Sequence, residues 1–218
     1  MAKESTKERL IEAAFALFDE RGYEATTVDD IVERAGVGRT TFFRTFRSKE
    51  EVIFPDHEAV LDAIRSRLAG STQQTALVAV RESARLVLSH YLGEGQLALA
   101  RYRLTSSVPA LRERETASTP RYQRVFREYI HEWMGGQEAT ALRAELMAAS
   151  VVTAHNYVLR RWLRGLTARP EAEFDEAMAA TLELFESGGE AGSIVAFRTT
   201  KSLDAVLPGL RAVLGEPE

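Results

Sequence analysis

Four cations, Arg39, Arg44, Arg47 and Lys49, fall within eleven residues that contain no acidic side chain. The whole chain of 218 residues carries a net charge of -4 and a pI of about 5.7, so this cluster is a local reversal of sign. A basic face on an acidic protein favours contact with a polyanion at one surface and weakens attachment elsewhere. Thr40, Thr41, Phe43 and Thr45 are interleaved with the cations. Arginine forks, hydroxyls and an aromatic ring are groups that meet base edges, thymine methyls and phosphates. Phe42 and Phe46 stand four apart, so on a helix both face inward. That leaves Arg39, Thr40, Phe43 and Arg44 outward, with Thr41 and Thr45 on the flanks. A short helix with a dry inner face and such an outer face suits the major groove of a duplex.

Other chemistries lack their residues. The absence of cysteine removes disulfides, thiolate metal sites and cysteine nucleophiles. His57, His90, His131 and His155 are widely separated, and none sits in an HExxH pattern. There is no glycine-rich phosphate loop and no G-x-S-x-G elbow. The paired acids Asp29 and Asp30 are explained by helix capping and the helix dipole. No catalytic residue, metal site or cofactor is expected, and the chain is not read as an enzyme.

The outward face needs a frame. Thr26 and Thr27 each precede an acid by three residues, Asp29 and Asp30, a pattern that caps a short helix. Ile31, Val32 and Ala35 give that helix an apolar face. Gly36-Val37-Gly38 breaks it, and Gly38 is a tolerable N-cap for the next. Upstream, Ser5 with Glu8 opens a helix over 5–21, with Leu10, Ala14, Leu17 and Phe18 at helical spacing and Gly22 ending it.

From Thr27 to Glu50 the chain resembles the tetracycline-repressor (TetR, AcrR-like) family of bacterial transcriptional regulators. The family pattern runs T-hydrophobic-x-x-I-A-x-x-A-G-V-S-x-x-T-hydrophobic-Y-x-x-F-x-S-K-E. Thr27, Ile31, Ala35, Gly36, Val37, Thr41, Phe46, Ser48, Lys49 and Glu50 match it without a gap. The resemblance implies an all-α fold. A three-helix, helix-turn-helix DNA-binding head spans residues 1–50, and a helical-bundle body for ligand binding and dimerisation spans residues 51–218. By the same resemblance Arg39, Thr40 and Arg44 meet base edges, while Thr27, Thr41, Thr45 and Lys49 hold phosphates. Two departures from what is common in the family matter for DNA contact. Phe43 replaces the common tyrosine and has no hydroxyl for a phosphate, which leaves it a thymine methyl or a sugar edge. Thr45, where histidine or tyrosine is frequent, has a shorter reach.

Downstream, Ser48 with Glu51 predicts a fourth helix, kinked or briefly broken at Phe54-Pro55. Helical periods follow over 75–92, 96–106, 109–134 with a bend at Pro120, 138–164 and 171–186. In the tail, 193–199 has β-like residues and 203–214 is amphipathic. No apolar run approaches the roughly 20 residues that span a bilayer. The start MAKESTKERL lacks a signal-like apolar stretch, so a cytoplasmic location without membrane contact is expected.

A bundled body invites an apolar cavity with a few polar groups. The candidates for lining it are Tyr102, Arg103, Tyr122, Phe126, His155 and Asn156, with Tyr91 and Tyr129 beside them. His155-Asn156-Tyr157 in an otherwise apolar helix stands out, although a satisfied core histidine fits the same pattern. In the family, the last two long helices form the homodimer interface; here those are 138–164 and 171–186. Ala144, Ala148, Ala149, Ala179 and Ala180 would allow close approach, or would pack the subunit's own core. The expected function is a regulator released from a palindromic duplex DNA operator by a small hydrophobic effector. The alternatives are an activator, or a ligand-binding helical dimer without DNA binding.

Overall fold

The N-terminal helices begin where the sequence supplies a cap. In the computed structural model, which describes residues 5–186, the Ser5 hydroxyl accepts the Glu8 N–H at 3.2 Å and the Glu8 carboxylate accepts the Ser5 N–H at 2.7 Å. This box opens α1 (Thr6–Arg21). Thr27 and Asp30 make the same exchange at 3.2 and 2.8 Å, opening α2 (Val28–Ala35). Thr26 is buried, and its hydroxyl donates to the Gly22 carbonyl at 2.8 Å. Of the two candidate caps, only Thr27 therefore caps α2. Gly36 ends that helix at φ 63°, a left-handed conformation that suits glycine. α3 (Arg39–Thr45) starts after Gly38 with no side-chain cap. Leu10, Ala14, Phe18, Ile31, Val32 and Phe42 bury the inner faces of these three helices in one cluster.

The fourth helix does not begin at Ser48. The chain makes a 3-10 turn at Glu50–Val52, breaks at Phe54-Pro55, and restarts with Asp56 as the N-cap of α4 (His57–Ala69). Glu51 accepts the Arg47 N–H, and Glu50 accepts the Tyr23 hydroxyl at 2.7 Å. Those contacts, with Pro55 unable to donate, replace the expected capping box. Val52 and Ile53 complete the head's core.

The body consists of α4, α5 (Ala76–Glu94), α6 (Gln96–Ser107), α7 (Pro109–Thr116), α8 (Thr119–Trp133), α9 (Glu138–Leu163) and α10 (Pro170–Glu186). The bend expected at Pro120 is a full break between α7 and α8. Pro120 sits in the first turn of α8, where a missing N–H costs nothing. Ile64, Leu88, Phe126, Met147, Val151 and Phe174 bring α4, α5, α8, α9 and α10 together in a second cluster. Leu111 of α7 instead belongs to the head's cluster, with Leu104 and Val108 packed against it. The α6–α7 corner thus docks into the head.

Ala144 and Ala148 are buried within the subunit, while Ala179 and Ala180 are exposed. The first pair therefore packs the subunit's own core, because it lies on the face of α9 that also carries Met147 and Val151. No strand occurs among the described residues, and no described helix is long and apolar enough to cross a membrane. The tail segments 193–199 and 203–214 lie outside the described residues.

Candidate functional site

Seven residues form the exposed helix α3, and its two faces divide sharply. Phe42 is fully buried and Phe46 nearly so, their rings 5.7 Å apart. Arg39, Thr40, Phe43 and Arg44 are exposed, and Thr41 and Thr45 are half-buried at the flanks. Phe43 stands edge-on to Phe42 at 5.3 Å and is 45 % exposed, a large apolar ring left in solvent. The turn that sets the angle of α3 is held from α1, where the Arg9 guanidinium donates to the carbonyls of Ala35 and Gly36.

The predicted contact residues have unequal freedom. Arg39 is ion-paired with Asp29 of α2, and its guanidinium lies 5.2 Å from the Phe43 ring. Both partners are mostly exposed, so the pair contributes at most about 1 kcal/mol and exchanges readily for a phosphate or a base. No ion pair holds Arg44 among the described residues. Thr27 is engaged in its cap, and the Thr45 hydroxyl donates to the Thr41 carbonyl at 3.0 Å. Lys49 donates to the carbonyls of Tyr23 and Thr26 at 2.8 and 2.9 Å, with its ammonium 4.0 Å from the Tyr23 ring. Its charge stands at the edge of the head, but its donors already serve the backbone.

Polar contacts tie the segment between head and body to the bundle. Arg101, almost fully buried, grips Glu94 with two hydrogen bonds of 2.6 and 2.8 Å and donates to the Ile53 carbonyl. His57 Nδ1 lies 2.9 Å from the Tyr122 hydroxyl. Burial, then Arg121 and Arg101, hold the His57 pKa down at about 4, so the ring is neutral near pH 7.

Inside the bundle is a cavity of about 700 Å³. That falls within the range of pockets that enclose small molecules, roughly 300–1,000 Å³. Val87, Phe126, Val151, Val152, Leu159 and Leu163 supply apolar wall. Tyr102, Tyr122, Phe126, His155 and Asn156 all line it, as does Tyr91. Arg103 does not line it: it lies on the exposed side of α6. Tyr129 is also away from it, hydrogen-bonded to Ser71. Three exposed arginines, Arg112, Arg160 and Arg164, complete the lining.

Glu115, on α7, also lines the cavity and was not among the sequence candidates. Burial pushes its carboxyl above the usual range, partly offset by the Thr105 hydroxyl and the Arg101 charge. Its neighbours Arg112 to Thr116 read as a solvated charged run. The usable signal is the spacing of four from Leu111, which puts Glu115 on the same side as a buried leucine.

Large apolar side chains also stand in solvent on α9 and α10. Leu142, Leu146 and Tyr157 on α9 and Leu184 on α10 are each more than half exposed.

Residues 10–54 match the family described as "Bacterial regulatory proteins, tetR family". The HTH-type transcriptional regulator TcmR of Streptomyces glaucescens is 39% identical over 116 residues, 49% of this chain and 50% of that protein. The chain thus spans about half the length of this curated relative. A putative TetR-family transcriptional regulator from Syntrophomonas wolfei has the same fold, with a TM-score of 0.62 at 18% identity, covering 88% of this chain and 98% of that one. FadR of Thermus thermophilus, a TetR-family repressor solved with lauroyl-CoA, gives a TM-score of 0.52 at 23% identity, covering 88% and 100%.

Proposed function

Since the chain belongs to the TetR family of bacterial regulatory proteins, we propose that it is a DNA-binding transcriptional repressor controlled by a small apolar effector. The observation that carries this reading is the outer face of α3. Arg39, Thr40, Phe43 and Arg44 project from a helix whose other side is locked into the head by Phe42 and Phe46. Residues 1–50 are assigned to DNA binding and residues 51–218 to effector binding and dimerisation. Arg39, Thr40 and Arg44 read bases. Thr27, Thr41, Thr45 and Lys49 border the phosphate backbone, with Lys49 acting as a fixed charge while its donors stay on the head.

The exposed Leu142, Leu146 and Tyr157 on α9 and Leu184 on α10 support a homodimer through these two helices, since large apolar side chains left in solvent together mark an interface. A two-fold dimer presents two α3 helices to successive major-groove faces about 34–36 Å apart, on a palindromic site. The effector occupies the body cavity and favours a head spacing that does not fit. Leu111 in the head's core and Glu115 at the cavity are one turn apart on α7, about 6 Å along the axis. Displacing one therefore displaces the other. A tenfold drop in operator occupancy requires about 1.4 kcal/mol of preference for the misfit state.

The test is fluorescence anisotropy with duplex DNA from beside the protein's own gene, against random duplex, at fixed salt. Arg44→Ala should weaken specific binding by about 1–3 kcal/mol per arginine that reads a guanine, with little effect on random duplex. If no duplex selected from a random pool binds better than bulk DNA, and Arg39→Ala/Arg44→Ala changes nothing, the protein is a helical ligand-binding dimer without DNA binding.

A further inference from the structure

Asp29 and Asp30 stand side by side in the first turn of α2, but the fold gives them different partners. Asp30 completes the box with Thr27 and lies 3.0 Å from the Arg21 guanidinium of α1. Asp29 takes no part in that box. Its carboxylate reaches across to α3 and accepts from Nη1 of Arg39. Phe43, four residues on from Arg39, has its ring centroid 5.2 Å from the same guanidinium. Arg39 is therefore held on two sides, by an acid from α2 and by a ring from its own helix.

Only one nitrogen of that guanidinium is committed to Asp29. Nε and Nη2 make no hydrogen bond among the described residues. Their N–H groups lie parallel along one edge, and such an edge matches N7 and O6 of guanine. A guanine can thus be read without breaking the pair with Asp29. A phosphate makes the opposite demand. It is charged, so it competes with the carboxylate for the same cation, and the two anions repel one another. The exposed pair is weak enough to exchange, so Asp29 does not forbid a phosphate contact. It makes that contact less favourable than a guanine. Holding Arg39 before DNA arrives also removes part of the side-chain entropy that binding otherwise costs.

We propose that Asp29 is a positioning residue for base readout. It holds Nη1 of Arg39 so that the Nε–Nη2 edge meets a guanine, and it lowers the attraction of Arg39 for the backbone of other sequences. α2 then contributes to specificity without touching a base. This rests on the reading of α3 as the helix that reads DNA, and it names a residue outside that helix on which the reading depends.

The experiment is fluorescence anisotropy of the full chain across a salt series, with the tightest duplex selected from a random pool and with random duplex. Each guanine of the selected duplex is replaced in turn by 7-deazaguanine, which lacks N7. In the unmodified protein one guanine per half-site should show a penalty that Arg39→Ala abolishes. Asp29→Asn keeps the shape and removes the charge. It should erase most of that penalty and weaken binding to the selected duplex about three- to tenfold. It should also tighten random duplex, with a salt slope steeper by about 0.9, the value for one further phosphate contact. Penalties at guanines that Arg39→Ala leaves alone should be unchanged in Asp29→Asn, which a general disturbance of the head would not allow. Three results overturn the proposal and leave the DNA-binding reading in place: no guanine that depends on Arg39, an undiminished penalty at that guanine in Asp29→Asn, or equal tightening of selected and random duplex. A pool that yields no duplex bound better than bulk DNA overturns both.

Discussion

Replacing Arg101 with methionine tests the linkage between head and body. The guanidinium is almost fully buried and donates to both oxygens of Glu94 and to the Ile53 carbonyl. Methionine preserves much of the length and removes every donor. Glu94 is then a carboxylate only 17 % exposed, with His90 Nε2 3.7 Å away. Removing one partner of a buried ion pair costs about 3–5 kcal/mol. The partial exposure of Glu94 admits some water, which places the expected loss at about 3–4 kcal/mol. For a protein of this size each kcal/mol moves the melting temperature by about 2–4 °C, so a fall of roughly 6–16 °C is expected. That is a large share of a total stability of roughly 5–15 kcal/mol.

The assay is thermal and urea unfolding at pH 7, at one fixed protein concentration because assembly shifts the apparent midpoint. The double variant Glu94→Gln/Arg101→Met removes the orphaned charge and should recover more than half of the loss. Amide exchange at residues 50–54 should also accelerate in Arg101→Met, because the Ile53 carbonyl loses its anchor. A single variant within about 1 kcal/mol of the unmodified protein, or a double variant no better than the single, would refute the reasoning.

The two phenylalanines of α3 should separate core from surface. Phe42→Ala should cost about 3–5 kcal/mol in urea unfolding, and Phe43→Ala within about 0.5 kcal/mol of zero. Gly36→Ala places a side chain at φ 63° with its Cβ 3.3 Å from the Arg9 guanidinium, and should destabilise the head by at least about 1–2 kcal/mol by the same measure. His155 gives a pH signature. Its folded pKa of about 4 lies below the 6.5 of an ordinary histidine, so between those values the unfolded chain binds the additional proton. Stability from this group is complete above pH 6.5 and falls as the pH drops toward 4. His155→Leu should flatten the stability profile in that window by up to about 1.4 kcal/mol per pH unit, measured by urea midpoints. An unchanged slope would mean that His155 titrates as an exposed histidine does.

Much of the head was legible because its residues answer to several requirements at once. Thr27 caps α2, Gly36 takes a left-handed turn, and Phe42 fills the core, each from a distinct local signal. Where one signal stood alone, it misled. Ser48 and Glu51 have capping-box spacing, but the Glu51 carboxylate reaches the Arg47 N–H instead, and Pro55 stops the chain from continuing as a helix. Lys49 reads as a free cation in a basic run. Only the fold brings the carbonyls of Tyr23 and Thr26, more than twenty residues upstream, within its reach.

The body was legible as helices and less so as surfaces, for a physical reason. An apolar stripe reports that a helix face avoids water without specifying what covers it. Leu142 and Leu146 on α9 fit the same helical pattern as Met147 and Val151, yet the first pair is exposed and the second buried. The cavity inverts the problem. Its walls are ordinary core residues, and its polar groups come from four different helices: Thr105 on α6, Glu115 on α7, Tyr122 on α8 and His155 on α9. No local spacing links residues so far apart. What makes them a site is their convergence on one cavity, which exists only once the helices have packed. A cavity of about 700 Å³ that combines apolar wall with a few polar groups is surface that a bound molecule can bury, which is the physical argument for treating it as a binding site.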